Sequence, residues 1–461
     1  MRALIRIAAV AVAGAALYYA GLLNSIVIQR PDRPGAVAVV LAIGAALVVM
    51  TVALRGTGTD EALSPPAHTR LHRMTWLFVC VMAVISMAWL FSMPRQHPVD
   101  WTPYHNDAIA LNDCAAQLLL DGKDPYATLD IFACYSALSI GADRTTPLRR
   151  GEFAGVAVYP TDEQLDQVWA LRQQIGGNVE FVTRPSYPAL SFLLLVPFFA
   201  LGLDSNYLYL ACLLAAMGLI VWRANATLRP FVLTGLLGAS CLAAFTVGGS
   251  ADLLYALPLV AAWIWRHRLT GAVAFGLAVG IKQIAWFIAP FYFIAVLATS
   301  GWRKALAHAG IAAAIFVATN LPFIAWHPAD WLAGVLTPIV EPMFARGAGI
   351  VFLGTNGGLP LLSASAYFAV EALAMAICLV IAWRTRRSSP EMGIALALIP
   401  LFFAWRSLFS YFFLIPLFVL AGVVRMPFGE LTVQRAREAG ALTILALPAK
   451  LRAVRRVERA A

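Results

Sequence analysis

The chain is a succession of long apolar runs separated by short polar connections, and that spacing bounds every fold open to it. The runs measure about 17–24 residues, the length at which a helix rising about 1.5 Å per residue spans bilayer hydrocarbon. They start near Ala3, Gly35 and Met74, then near Tyr187, Tyr207, Phe231, Leu253, Leu269, Ile284, Ala305, Ala364, Met392 and Leu408. Soluble domains carry about 25% charged residues. Here 13% are charged and 61% are hydrophobic, more apolar content than a water-surrounded core can hide. The expected fold class is all-α, a polytopic transmembrane helix bundle. The first run, Ala3 to Leu23, lacks a clean small-x-small exit and reads as a retained helix, not a cleaved signal peptide.

The placement of charge orients the bundle. The net charge of +10 could suggest nucleic acid, but the basic residues gather in short connections and in the C-terminal tail, and no base-reading or phosphate-tracking motif accompanies them. The positive-inside rule produces this distribution. Arg55, Arg70 and Arg73 put the loop after the second run in the cytoplasm, so the third run, Met74 to Met93, leads outward. The mostly polar stretch 94–186 is then a long first extracytoplasmic loop. Loops of that length in a compact protein are usually functional.

Parity next raises a conflict. If Tyr187–Leu203 crossed, the clusters Arg223/Arg229, Arg266/Arg268, Arg303/Lys304 and Arg384/Arg386/Arg387 would all face out. Pro185, Pro188 and Pro197 fit instead a broken re-entrant segment lining a protein cavity. With that change every basic cluster falls inside, giving about twelve crossings and both termini in the cytoplasm. Three regions follow. Residues 1–73 hold two transmembrane helices and a cytoplasmic loop, and residues 74–424 form the main domain. Residues 425–461 form a basic amphipathic tail, whose stretch Leu442 to Arg459 is expected to lie on anionic lipid headgroups. The extracytoplasmic face then receives the polar islands that are not basic clusters: His105–Asp124, Gly248–Asp252, Lys282-Gln283, His327–Asn356 and Trp405-Arg406-Ser407. Islands from distant parts of the chain meeting on one face describe a site.

The stretch His105-Asn106-Asp107, running on to Gly122-Lys123-Asp124-Pro125-Tyr126, reads as an amphipathic helix lying along the membrane, closed by Gly122 and stopped by Pro125. Asp107 stands at its start and Asp113 near two turns later. An acidic residue soon after an outward helix, followed by A-x-x-L-L-x-G-x-x-P-Y, resembles the GT-C superfamily of membrane glycosyltransferases. Ser186-Tyr187-Pro188-Ala189-Leu190 is similar to its Y-P-P-L segment, with Ala189 in place of the second proline. Gly248–Asp252, the G-L-A-x-G-x-K-Q element at 276–283, and Asn320-Leu321-Pro322-Phe323 with Trp326-His327-Pro328 extend the likeness. It covers roughly 100–422 and is nearest to glycosyltransferase family 87, the polyprenyl-phosphate-mannose-dependent group.

The resemblance implies transfer of a sugar, mannose or a pentose, from a polyprenyl-phosphate carrier to a lipid or glycan acceptor on the extracytoplasmic face. No cofactor is implied, and no Gly-rich nucleotide loop is present. The chemistry is one inverting displacement at the anomeric carbon. A carboxylate takes the acceptor's proton, and cations receive the charge growing on the phosphate. Asp107 is the candidate base, with Asp113 as its rival. Lys282, alone among lysines in the apolar core, and Arg406 are candidates for the phosphate. His327, Asp252 and His105 are candidates for shaping the pocket or holding substrate.

Each residue also has a plainer reading. Asp107 could cap its helix, Lys282 could snorkel to the interface, and Arg406 could anchor to a headgroup. Asp252 could start the next helix, and His327 could serve a turn before Pro328. Of the 6 cysteines, Cys80, Cys212, Cys241 and Cys378 lie in apolar runs and pack as small hydrophobes. Cys114 and Cys134 lie in the extracytoplasmic stretch, where a disulfide is permitted. No metal site is expected. The reading from another class is a multi-helix transporter or lipid-linked-sugar flippase, which should show two related halves with paired broken helices. No such repeat is evident.

Overall fold

A computed structural model of the chain describes residues 2–56, 73, 77, 104, 106–243 and 250–426. The expected third helix at 74–93, the pair Gly248-Gly249, His105 and the amphipathic tail lie outside these residues. The described part is mostly helical, with a single pair of two-residue strands among the described residues. Among the described residues five helices are long and apolar enough to cross a membrane: α1 (Arg2–Gln29), α2 (Arg33–Ala53), α9 (Asn206–Arg223), α14 (Trp302–Trp326) and α18 (Ala364–Thr385).

Between α2 and α9 lies a folded unit, where the sequence suggests a loop. It contains α3 (Asp107–Leu120), α4 (Pro125–Thr128), α5 (Ile131–Leu138) and α6 (Asp162–Ile175), followed by the short α7 (Leu190–Leu193) and α8 (Val196–Ala200). A disulfide joins Cys114 of α3 to Cys134 of α5. Phe132, Tyr135, Trp169 and Phe181 pack ring against ring beneath α6. Glu180 is fully buried and held by the Arg172 fork at 2.8 and 2.6 Å and by the Glu152 N–H at 3.1 Å. These contacts give the polar stretch a packed interior, continuous with the core of the bundle.

The expected non-crossing segment is broken as its prolines dictate. α7 and α8 have 4 and 5 residues, and together they reach roughly half a bilayer's depth at about 1.5 Å per residue. Further shorter apolar helices complete the bundle. They are α10 (Arg229–Gly238), α11 (Leu253–Ile264), α12 (Leu269–Ile281), α13 (Ile284–Ser300), α15 (Pro328–Val335), α16 (Thr337–Val340), α17 (Val351–Thr355), α19 (Met392–Leu396) and α20 (Ile415–Val423). The runs expected from Met392 and Leu408 are interrupted by 3-10 turns at Pro400–Phe403 and Phe409–Tyr411. Small residues let the helices approach closely. A Cβ on Gly14 of α1 would stand 2.6 Å from that of Ala239, just past α10.

The bundle has two chemically distinct ends. At one, Arg6 donates to the Arg55 carbonyl, Gly56 N–H to Ser389 Oγ, and Lys304 to the His267 carbonyl. Arg266 grips Glu391 through both terminal nitrogens at 2.8 and 2.6 Å, and Trp263 donates to the same carboxylate at 2.7 Å. Arg425 reaches Glu391 at 3.5 Å and the Ile264 carbonyl. Arg223, Arg268 and Lys304 stand within Coulombic reach of His267. The helices leave this basic end and return to it. At the other end the folded unit of 106–205 meets the helix termini that carry Asp252, Lys282 and His327 and the short strand that carries Arg406.

Candidate functional site

At this second end the structure brings together most of the charged residues singled out in the sequence. Asp107 is the first residue of α3 and half-buried. It does not cap the helix: Asn106 is the N-cap, accepting from the Ile109 N–H at 3.3 Å. The Asp107 carboxylate is therefore free of the capping duty the sequence allows it, and it lies within Coulombic reach of Tyr135, Tyr159 and Tyr187.

Asp113 is placed differently. It is 2% exposed, and its carboxylate accepts from Tyr104 at 2.9 Å and Ser205 at 3.0 Å. Burial raises its pKa to about 7, against the opposing pull of those two hydroxyls. These bonds join α3 to Tyr104 and to the residue before α9, so Asp113 fastens the helix that carries Asp107.

Lys282 and Asp252 are buried partners in an ion pair. Lys282 follows α12 and Asp252 precedes α11, so helices running in opposite directions deliver the two charges to one place. Ser250 Oγ donates to Asp252 at 2.6 Å. The Lys282 ammonium also sits 4.7 Å from the centre of the Tyr187 ring, a cation–π contact. Neither the snorkelling lysine nor the helix-starting aspartate exhausts what these residues do.

The segment carrying Tyr187 is pinned from several sides. Gln283 donates to the Ser186 carbonyl at 2.7 Å and to the Val335 carbonyl at 2.9 Å. Tyr126, buried after the α4 N-cap Asp124, donates to the Tyr187 carbonyl at 2.7 Å. Asn320 Oδ1 accepts from the Ala189 N–H and from Trp331, each at 3.0 Å. The P-Y, S-Y-P-A-L, K-Q and N-L-P elements of the sequence thus meet at one backbone.

Arg406 arrives in an arrangement the sequence does not announce. Strands β1 (Arg346–Gly347) and β2 (Arg406–Ser407) pair in parallel, with Arg346 directly opposite Arg406. Gly347 is required there, because a Cβ would lie 2.3 Å from the Ser407 carbonyl oxygen. Register partners in a sheet send their side chains to one face, and like charges so placed repel. Arg346 stacks on Tyr159 with its guanidinium 4.0 Å from the ring centre. Tyr159 has Arg346, Arg406 and Asp107 within Coulombic reach, Tyr187 has Asp252, Asp107 and Arg406, and Tyr411 has Lys282 and Arg406. Comparison with known proteins yields no matching family model, no matching curated protein and no matching solved structure.

His327 belongs to a neighbouring contact. Its Nδ1 lies 2.8 Å from Asp124 Oδ2, with Asp124 buried and the imidazole 45% exposed. Asp124 also accepts from the Tyr126 N–H at 3.0 Å. This pair fixes α4, and through Tyr126 it reaches the Tyr187 backbone. Arg346, Tyr159, Tyr187 and Tyr411 are the members that the sequence left unassigned. Arg346 lay inside a recognised polar island, Tyr187 inside the S-Y-P-A-L element without a role of its own, Tyr411 among residues that read as an interfacial aromatic belt, and Tyr159 carried no signal. Among the described residues no group of three or more His, Cys, Asp or Glu side chains could hold a metal ion. The arrangement offers two arginines on register partners that both act on Tyr159, a further cation tied to a carboxylate, and a second carboxylate within reach of the same tyrosine. It suits an anion bound next to a proton acceptor.

Proposed function

We propose that the chain is a membrane glycosyltransferase that takes a sugar, mannose or a pentose, from a polyprenyl phosphate and passes it to a lipid or glycan hydroxyl. The observation that carries this reading is the juxtaposition of Arg346 and Arg406 in register, with Asp107 sharing their neighbour Tyr159. Like charges on register partners are destabilising, and an anion bound by both would relieve that. A phosphodiester is such an anion, and guanidinium forks match its oxygens. The GT-C resemblance supplies the sugar.

The reading includes a topology. The basic end faces the cytoplasm and the site faces outward. Counting the run at 74–93 as a crossing gives twelve, with 187–203 entering and leaving on the outer side. The tail, which starts at the basic end, then lies on cytoplasmic headgroups.

In this reading the acceptor oxygen attacks the anomeric carbon while its proton passes to Asp107. The bond from the anomeric carbon to the phosphate oxygen breaks, and its electron pair stays on that oxygen. The configuration inverts. Arg346 and Arg406 receive the charge that grows on the phosphate, stabilising the transition state more than the ground state. Lys282 is paired with Asp252, and its role is to hold Tyr187 and the local field. Asp113 is kept as a fastening group.

The test is transfer by the purified protein in lipid, with radiolabelled polyprenyl-phosphate sugars and an envelope-lipid extract as acceptor. Wild type should form product, and well-folded Asp107→Asn should lose at least about a hundredfold. Retained activity in that variant would move the base elsewhere. No product with any donor, together with movement of the lipid-linked sugar across vesicles, would favour the flippase reading.

A further inference from the structure

The basic end of the bundle carries a crevice that the proposed chemistry does not use. α9 descends to Arg223, the chain turns through 224–228, and α10 climbs away from Arg229. Between the two helices lies a space of about 490 Å³. Its walls are apolar, from Leu214 and Leu237 at the deep end to Trp222 at the mouth, and Arg229 supplies the charge. Leu214, Leu237 and Trp222 are 56%, 49% and 63% exposed. The floor is open at Gly218, where an added Cβ would meet nothing within 4 Å. Arg229 is tethered at the mouth, donating to the Trp222 carbonyl at 3.2 Å and the Ala224 carbonyl at 3.4 Å.

The mouth opens on a strongly positive surface. Arg223 is exposed and within Coulombic reach of His267 and Arg425, and Arg268 and Lys304 act on the same imidazole. Glu391, the carboxylate set among them, is taken up by Arg266, Trp263 and Arg425. The surface therefore keeps a surplus of positive charge beside an apolar slot.

We propose that this crevice binds one anionic phospholipid from the leaflet at the basic end, an acyl chain between α9 and α10 and its phosphate on Arg229 and Arg223. The slot from Leu214 to Trp222 is about 12 Å deep at helical rise, room for part of one chain. The apolar walls give affinity for any lipid, and the cations select the headgroup. A zwitterionic lipid brings an ammonium towards Arg223 and gains less. Each basic residue near an anionic surface contributes about fivefold in binding. The site is independent of what the opposite end transfers.

The experiment reconstitutes the full chain in phosphatidylcholine nanodiscs containing a minor fraction of phosphatidylglycerol and counts lipids retained after transfer to detergent by native mass spectrometry. Wild type should keep one phosphatidylglycerol. Arg229→Gln should lower that retention about fivefold. Gly218→Leu and Gly218→Phe fill the floor and should remove it with the melting temperature unchanged. Leucine is the milder of the two and a good helix former, so it serves if phenylalanine disturbs folding. Equal retention of both lipids by wild type, or undiminished retention in both Gly218 variants, would overturn the proposal. So would an oxidative crosslink between Gly218→Cys and Cys80, since the chain itself would then fill the slot.

Discussion

The paired arginines separate function from stability at a single residue. Among the described residues Arg406 has one weak hydrogen-bond partner, the Phe344 carbonyl at 3.4 Å, and stands opposite Arg346 in the strand pair. Arg406→Met removes the repulsion and keeps the bulk. The variant should melt at or above the wild-type temperature while transfer falls by at least about a hundredfold. A melting temperature lowered by several degrees would show that Arg406 is structural. Asp113 yields a prediction in pH. Its folded pKa, about 7, exceeds the ordinary 3.8, so the folded state binds the proton more tightly than the unfolded state. Its contribution is complete below about pH 4 and is lost as pH rises through 7, at up to about 1.4 kcal/mol per unit. Asp113→Asn can still accept from Tyr104 and Ser205, and its stability should be flat over that window. A wild type equally flat would contradict this account. Asp107, Lys282, Asp252 and Arg406 were singled out in the sequence, Lys282 because a cation in apolar surroundings is conspicuous and Asp107 because of its place before A-x-x-L-L-x-G-x-x-P-Y. Arg346 was not. Its meaning comes from a register partner 60 residues away in the chain, which no local pattern reveals.

Among elements, the short turns and caps hold the site more than the long helices do. The segment 186–190 has almost no regular structure of its own and is fixed by Tyr126, Gln283 and Asn320 from three other elements. Gln283→Leu would orphan the Ser186 and Val335 carbonyls and free the loop beneath Lys282. Transfer should fall about a hundredfold, through kcat more than donor KM, because a displacement near 1 Å at a reacting centre has that effect. A change confined to KM would place Gln283 in donor binding. The broken character of 187–203 was legible because proline states its own constraint on φ and on donors. The folded nature of 106–186 was less so. Its core rests on aromatic residues spread over Phe132 to Phe181 and on a disulfide, a long-range pairing that polarity along the chain does not display. The bends at Pro400–Phe403 and Phe409–Tyr411 were hidden for the opposite reason, since uniform apolarity conceals where a helix stops.

For the molecule as a whole, the decisive fact is that sequence-adjacent helices deliver basic residues to one end and the site residues to the other. Lys304 reaches back to His267, and Arg425 to Ile264 and Glu391, across helices that the positive-inside rule treats as separate witnesses. Charge counting along the chain and contact geometry thus divide the residues in the same way, although neither contains a membrane. What joins them is parity, and parity turns on the short segment α7–α8. Single cysteines at Glu163, Asp204 and Ser388, all exposed, decide it. If the segment enters and leaves on one side, Glu163→Cys and Asp204→Cys react with an impermeant maleimide added outside intact cells. Ser388→Cys then reacts only after the membrane is opened. If 187–203 crossed instead, the pattern beyond it would reverse: Asp204→Cys would be protected and Ser388→Cys would react from outside. The fold would then carry α9 inverted, with Ser205 and its Asp113 partner on opposite sides of the bilayer. A hydrogen bond of 3.0 Å between them cannot survive that separation. Labelling of Asp204→Cys from the cytoplasmic side would therefore overturn the site's architecture together with its topology.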